Sequence, residues 1–224
     1  MRFHVVIPAG GKGVRSGFNI PKQYVKISGK ELIAYTIDVF QKNKKVNDIT
    51  IAAAKDYFEI LNRIVKKYNF SKVINIIEGG SERQDSVYNA LTSLIISKDD
   101  YVIVHDAARP LISQKILNQS IEDAIKFGNS VVCIKAKDTL LKGNEKVEKY
   151  VDRKDMFYVQ TPQIFRYSDL MKAMNKAKKQ NFYGTDESML IKKYIGVVHI
   201  TEGSSSNFKI TSKEDIELFK KIVA

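Results

Sequence analysis

Short aliphatic runs alternate along this chain with longer stretches whose apolar positions recur every three or four residues. Phe3–Ile7, Asp48–Ala54, Val73–Ile77, Tyr101–Val104 and Ser130–Ile134 are the short runs, rich in β-branched side chains, and they predict buried strands. Between them, Leu32–Asn43, Glu59–Tyr68, the segment bearing Val87, Ala90, Leu91, Leu94 and Ile95, and the segment bearing Ile116, Leu117, Ile121, Ala124 and Ile125 predict helices. Ser81 with Gln84 reads as a capping box opening the third helix, and Ser113 as the cap of the fourth. Strands alternating with helices in this way predict an α/β fold: a mostly parallel sheet, helices on both faces and right-handed crossovers.

The rhythm breaks after residue 135. The segment 135–155 is heavily charged, with Gly143-Asn144 near its middle, and Thr139–Leu141 and Val147–Val151 are placed to pair across that turn as a hairpin. Such a hairpin is either a dimerisation arm or a plain surface excursion. Ser168–Lys179 then reads as a helix, Val197–Thr201 and Phe208–Ile210 as strands, and Ser212 with Asp215 as the capping box of a last helix bearing Ile216, Phe219 and Ile222. With no repeat and no linker, residues 1–224 are expected to form one domain.

Composition narrows the function. The lone cysteine, Cys133, sits inside an apolar run, so neither an internal disulfide nor a thiolate zinc site is expected. No apolar run approaches the roughly 18 residues of a membrane span, and no signal-peptide pattern precedes the first strand, so a cytoplasmic protein without a membrane partner is expected. The net charge of +12 suits nucleic acid, an anionic surface or acidic small molecules. The lysines are spread in pairs such as Lys44-Lys45 and Lys66-Lys67, and no basic segment interleaves aromatics as a stacking platform would, so no nucleic-acid partner is expected.

Candidate chemistry gathers in the turns. Pro8-Ala9-Gly10-Gly11-Lys12-Gly13-Val14-Arg15 follows the first strand, where glycines let backbone N–H groups approach a ligand and Lys12, Arg15 and Lys22 add positive charge. It matches neither the dinucleotide fingerprint nor the P-loop, and an ordinary strand-to-helix turn is the alternative. His105-Asp106-Ala107-Ala108-Arg109-Pro110 ends a central strand, where open α/β sheets bind ligands. A carboxylate beside a phosphate site is explained if Asp106 holds Mg²⁺; otherwise it is a turn cap. Arg109 reads as an anion contact or a surface salt bridge, and His105 as a buried structural side chain rather than a catalyst. Gly79-Gly80 opens the third helix, with Ser86 in reach of a base or a phosphate. Arg153, Lys209 and Thr185 are unremarkable in isolation.

Jointly, Ala9-Gly10-Gly11-x-Gly13-x-Arg15, Pro21-Lys22-Gln23-Tyr24, Asp85-Ser86-Val87, His105-Asp106-Ala107-Ala108-Arg109-Pro110, Gln160-Thr161-Pro162-Gln163, Thr185-Asp186-Glu187 and Asn207-x-Lys209-Ile210-Thr211 resemble the 2-C-methyl-D-erythritol 4-phosphate cytidylyltransferases, in order and over nearly the whole chain. The resemblance implies a Rossmann-like nucleotidyltransferase fold, CTP and a polyol phosphate as substrates, Mg²⁺, and a homodimer built through the arm. It implies catalytic roles for Arg15, Lys22 and Lys209, with Arg15 and Lys22 on the CTP phosphates. Ala9, Gly10, Gly11, Gly80, Ser86, Asp106 and Ala107 would bind the nucleotide, with Asp106 also the metal ligand. Arg109, Thr139 and Lys209 would meet the sugar phosphate, joined by Arg153 and Thr185 of the partner subunit. Gly10 stands where the family often has alanine, and Ser16 where it often has methionine. D-ribitol-5-phosphate cytidylyltransferase is the alternative; there the Asp106 segment tends to read Asp-Ser-x-Arg-Pro, unlike Asp106-Ala107-Ala108-Arg109-Pro110. A catalytically dead nucleotide-binding regulator is disfavoured by the intact Arg15, Lys22, Asp106 and Lys209. The reaction joins two anions by in-line attack at the α-phosphorus, so it calls for cations and positioning rather than a Ser-His-Asp arrangement.

Overall fold

The protein was analysed as a computed structural model that describes residues 1–11 and 20–224. In chain order the described elements are β1 (Phe3–Pro8), β2 (Lys26–Ile27), β3 (Lys30–Glu31), α1 (Leu32–Lys42), β4 (Asp48–Ala53), α2 (Phe58–Lys67), β5 (Val73–Glu78), α3 (Arg83–Ser93) and β6 (Tyr101–Val104). There follow α4 (Gln114–Phe127), β7 (Asn129–Lys135), β8 (Leu140–Gly143), β9 (Val147–Val151), β10 (Phe157–Arg166), α5 (Tyr167–Lys179), α6 (Glu187–Tyr194), β11 (Ile200–Glu202) and α7 (Lys213–Val223). The main sheet runs β11-β7-β10-β6-β1-β4-β5. β1 pairs in parallel with β4 and β6, β4 with β5, and β11 with β7, while β10 is antiparallel to both its neighbours. The sheet is therefore mostly parallel, as the strand–helix alternation predicts.

Period-2 alternation distributes the strand side chains between two cores. Val5, Ile7, Ile49, Ile51 and Ile103 face α1, α2 and α4, whereas Val6, Val102, Val104 and Ala52 face α3, α5 and α6. Both faces being covered explains why these strands read as continuous apolar runs rather than as alternating ones. A third cluster packs Ile216 and Phe219 of α7 against Ile27, Leu32, Ala108 and Ile210, fixing the segment around Lys209 next to the end of β6. The chain leaves β1 toward β4 and β5, then crosses back through α3 to β6 on the other side of β1. The sheet order reverses between β1 and β6, and ligands of open α/β sheets settle beyond the carboxyl ends of strands at such a point.

The hairpin forms from β8 and β9, paired antiparallel and separate from the main sheet. Ser113 caps α4 by accepting from Ile116 N, and Ser212 with Asp215 forms the box of α7, as expected. Four expectations are corrected. The α3 cap is Glu82, not Ser81: the Asp85 carboxylate takes both the Ser81 hydroxyl (2.9 Å) and the Glu82 N–H (3.2 Å), so the helix opens one residue later. That helix also stops at Ser93, whose hydroxyl turns back to the Ala90 carbonyl, and Ile95 lies fully exposed beyond it. Phe208–Ile210 is not a strand; it makes one backbone bond to the strand-end segment, Ile210 N to Ala108 O, and no ladder. β11 is shorter than Val197–Thr201 suggests because the Asn129 side chain takes the Val197 carbonyl and the His199 N–H in place of a ladder. β10 escapes the hydrophobic pattern altogether, since Gln160-Thr161-Pro162-Gln163 interrupts it with polar residues and a register shift.

Candidate active site

A cavity of about 770 Å³ opens where the sheet order reverses, walled by Ala9–Gly11 after β1, Ala54 after β4, Gly80–Arg83 at the start of α3, and Asp106–Ala108 after β6. Lys22 and Lys209 also line it. The first wall is held from behind. The buried Gln23 side chain donates to the carbonyls of Ala9 (2.7 Å) and Gly11 (2.9 Å), and Ala9 N–H donates to Ala52 O at 2.7 Å. This ties the glycine turn to the Pro21-Lys22-Gln23-Tyr24 turn, which explains why the two motifs occur together.

The opposite wall is built around Ser86. Its hydroxyl accepts from Gly80 N–H (3.0 Å) and donates to Glu82 O (3.1 Å), drawing the Gly79-Gly80 turn down onto α3. A methyl at Gly80 would sit 2.2 Å from the Asp85 Cβ, and one at Gly79 2.8 Å from the Ser86 oxygen. A methyl at Gly10 would lie 3.5 Å from that same oxygen, an ordinary contact. Glycine is therefore required on the Ser86 side and only convenient at Gly10.

Asp106 forms the floor. Its carboxylate receives Arg83 Nε at 3.1 Å on Oδ1 and Lys209 Nζ at 3.0 Å on Oδ2, with Arg109 Nε at 3.7 Å. Burial by itself raises the Asp106 carboxyl, but the charges of Arg83, Lys209 and Arg109 outweigh it and hold the group well below the usual carboxylate range. Asp106 is ionised at neutral pH and more than neutralised by its neighbours. Arg83 is shared: its Nη1 also meets both oxygens of the buried Glu187 at 2.8 Å. Burial lowers the Arg83 guanidinium and its two carboxylates outweigh that, so it stays charged. Burial raises the Glu187 carboxyl, and Arg83 offsets only part of this.

Behind the floor lies a fixed chain of hydrogen bonds. His105 Nε2 lies 2.9 Å from the Arg109 carbonyl, which can only accept, so Nε2 carries the proton. Nδ1 then accepts from the Thr161 hydroxyl (3.1 Å), whose oxygen accepts from Asp106 N–H (3.1 Å). Burial pushes the His105 ring down to about 4, so it is neutral at pH 7. Its role is to set the Asp106–Arg109 turn, the structural reading of the two that its sequence position leaves open. Arg109 Nη1 donates to the Asn207 carbonyl at 2.8 Å, and the fully buried Asn207 amide donates to Thr161 O and Gln160 Oε1. Residues from three distant motifs thereby lock together beneath Asp106.

Related proteins bear on what this cavity is for. The family model described as IspD, 2-C-methyl-D-erythritol 4-phosphate cytidylyltransferase, matches residues 3–224. The chain belongs to this family. A cytidylyltransferase of that name from Clostridium botulinum (strain Langeland) is 40% identical over 223 residues, 98% of this chain and 96% of the relative. One from Clostridioides difficile (strain 630) is 39% identical over 99% of this chain and 93% of its own. Among solved structures, the Francisella tularensis cytidylyltransferase superposes with a TM-score of 0.85 at 31% identity, covering 99% of both chains.

The cytidylyltransferase motifs do not all meet in one place. Ala9, Gly10, Gly11, Lys22, Gly80, Ser86, Asp106, Ala107 and Lys209 line the cavity, and Arg109 touches it through Asp106. Arg15 lies outside the described residues. Thr139, Arg153 and Thr185 are exposed and do not line the cavity; Arg153 donates to the Lys137 carbonyl at the base of the hairpin, and Thr185 Oγ1 to Met189 Sδ at 3.0 Å. The sequence reading passed over Arg83 and Glu187 as site residues, and over Gln23, Gln160, Thr161 and Asn207 as supports. All but Arg83 fall inside the motifs that carry the family resemblance, and membership in a motif does not say which residue supports which. Among the described residues no three His, Cys, Asp or Glu side chains converge as a metal site, and no helix is long and apolar enough to cross a membrane.

Proposed function

We propose that this chain transfers the cytidylyl group of CTP to 2-C-methyl-D-erythritol 4-phosphate, releasing pyrophosphate. The observation that carries the reading is the ionised Asp106 set among Arg83, Arg109 and Lys209 on the floor of a cavity that Lys22 also lines. A phosphate oxygen of the sugar phosphate attacks the α-phosphorus of CTP, a new P–O bond forms, and the bond to the β-phosphate oxygen breaks as pyrophosphate leaves. The protein's work is to bring two polyanions together and to stabilise charge in transit. Lys22, with Arg15, neutralises the triphosphate. The Gly10–Gly11 and Gly80–Ser86 walls hold the nucleoside. Lys209 and Arg109 bind the attacking phosphate. No base is required, because the phosphate monoester is already ionised, and the neutral His105 faces Thr161 and Arg109 rather than the substrate.

A divalent cation fits this chemistry only if the protein and the substrate share its coordination. Mg²⁺ accepts one carboxylate with phosphate oxygens and water completing its shell. Asp106 provides that carboxylate, and Lys209, with its side chain 41% exposed, has the room to turn from Asp106 to an incoming phosphate. Bound there, Mg²⁺ would screen the triphosphate charge.

A homodimer through the 135–155 arm completes the reading. Leu141, Val147 and Tyr150 are more than half exposed on the hairpin, more apolar surface than a free arm needs. Arg153 and Thr185, exposed and outside the lining of their own cavity, would serve the partner subunit's sugar-phosphate site. A cytoplasmic location belongs to the same reading. The test is pyrophosphate release with CTP and each of two acceptors: preference for 2-C-methyl-D-erythritol 4-phosphate supports the reading, and preference for D-ribitol 5-phosphate, or no release with either, overturns it.

A further inference from the structure

Glu187 is a buried ionisable side chain, 1% exposed, in a place where packing alone would be better served by an apolar residue. Its segment is firmly placed. Asp186 caps α6 by accepting from Met189 N–H at 3.1 Å, and Gln84, beside Arg83 at the start of α3, donates to Phe182 O (3.0 Å) and accepts from Gly184 N–H (2.9 Å). Glu187 is thus delivered to Arg83 by design of the backbone rather than by a wandering surface chain.

The pairing has a geometric consequence. A guanidinium facing one carboxylate tends to grip it with two parallel N–H bonds. Here both Glu187 oxygens hold Nη1 at 2.8 Å, so Arg83 gives Asp106 a single bond from Nε to Oδ1, and Oδ2 is left to Lys209 at 3.0 Å, with Arg109 Nε farther off at 3.7 Å. Without Glu187, Arg83 is free to turn both donors onto Asp106 and occupy the oxygen that a cation would use. We propose that Glu187 is a positioning residue: through Arg83 it holds the Asp106 carboxylate with Oδ2 free of Arg83 and available to a cation once Lys209 turns away, and so sets the affinity for CTP together with its divalent cation. This rests on the reading of Asp106 as the carboxylate that holds the cation.

The experiment compares Glu187→Gln, Arg83→Lys and Asp106→Asn with the unaltered protein. CTP binding is measured by calorimetry with and without Mg²⁺, alongside the half-saturating Mg²⁺ concentration for turnover. Glu187→Gln is expected to weaken Mg²⁺-supported CTP binding and to raise half-saturating Mg²⁺ by about 10- to 100-fold, the usual cost of removing a group that orients a metal-holding carboxylate, with Mg²⁺-free CTP binding little changed. Arg83→Lys keeps the charge but cannot bridge both carboxylates, so it should produce the same shift, and it decides the matter if Glu187→Gln does not fold. A lower melting temperature with unchanged CTP affinity and unchanged Mg²⁺ dependence would show a merely structural pair and overturn the proposal. Asp106→Asn separates the two layers. If it keeps Mg²⁺-dependent CTP binding, the reading of Asp106 fails; if it loses that dependence while Glu187→Gln and Arg83→Lys keep it, only the positioning role fails.

Discussion

Replacing Asp106 by Asn tests the electrostatic design with little change of shape. In the free protein the substitution removes the negative charge that Arg83 (3.1 Å), Lys209 (3.0 Å) and Arg109 (3.7 Å) share. Breaking a buried pair by deleting one partner costs roughly 3–5 kcal/mol. The lower end applies, because Arg83 keeps Glu187 and the Lys209 side chain, 41% exposed, can turn to water. A loss of about 3 kcal/mol in a chain of this size lowers the melting temperature by about 6–12 °C. Turnover should fall by about a thousandfold, the size of effect seen when a preorganised charge is removed from a reacting centre. CTP then becomes the diagnostic. A triphosphate returns negative charge to Lys209 and Arg109, the two cations left without a carboxylate, so CTP without Mg²⁺ should raise the melting temperature of Asp106→Asn more than that of the unaltered protein. Differential scanning fluorimetry with and without CTP, beside a pyrophosphate-release assay, reads all three quantities. An Asp106→Asn protein with native melting temperature, native turnover and no enhanced response to CTP would refute the reasoning.

Other expectations are simpler. Gly80→Ala places a methyl 2.2 Å from the Asp85 Cβ and should raise the KM for CTP at least tenfold by displacing the start of α3, whereas Gly10→Ala, at 3.5 Å from Ser86, should leave kcat/KM within about twofold. Acid should destabilise the fold through His105: its folded pKa of about 4 lies below the unfolded value of about 6.5, so its contribution is complete above pH 6.5 and is lost as pH falls toward 4. Between pH 7.5 and pH 5 that loss is about 2 kcal/mol, read from urea unfolding of the unaltered protein against His105→Gln, because Glu187 and other carboxyls titrate alike in both; parallel curves would contradict it. If Arg153 serves the partner subunit, mixing inactive Lys22→Ala and Arg153→Ala proteins should restore part of the activity through hybrid sites, and a mixture as inactive as its parents would deny the shared site.

The legible part of the fold was the part governed by repetition. Buried strands such as Tyr101–Val104 and amphipathic helices such as Leu32–Lys42 announce themselves because one or both faces must be apolar. β10 did not, because its middle is spent on Gln160 and Thr161, whose side chains hold Asn207 and the Asp106 turn instead of filling the core. The same division runs through the site. Asp106 and the glycine turns stand at strand ends, where chemistry is expected, and could be named from position. Arg83 and Glu187 are 104 residues apart and become partners only when the fold brings the start of α6 to the start of α3. Gln23 looks like a turn residue until its amide is seen to hold the Ala9 and Gly11 carbonyls. Nothing local in the chain marks such supports, because their value lies in what they hold in place. Thr139, Arg153 and Thr185 were named by resemblance alone, and they lie exposed and outside the cavity lining.

The most direct measurement is a crystal structure of the protein with CTP and Mg²⁺. The account predicts the triphosphate lying between Lys22 and Lys209 with its cation on Asp106, the nucleoside against Gly80 and Ser86, and Lys209 turned away from Asp106. A nucleotide bound elsewhere, or one bound in this cavity with Asp106 still closed by Lys209 and no cation beside it, would contradict it.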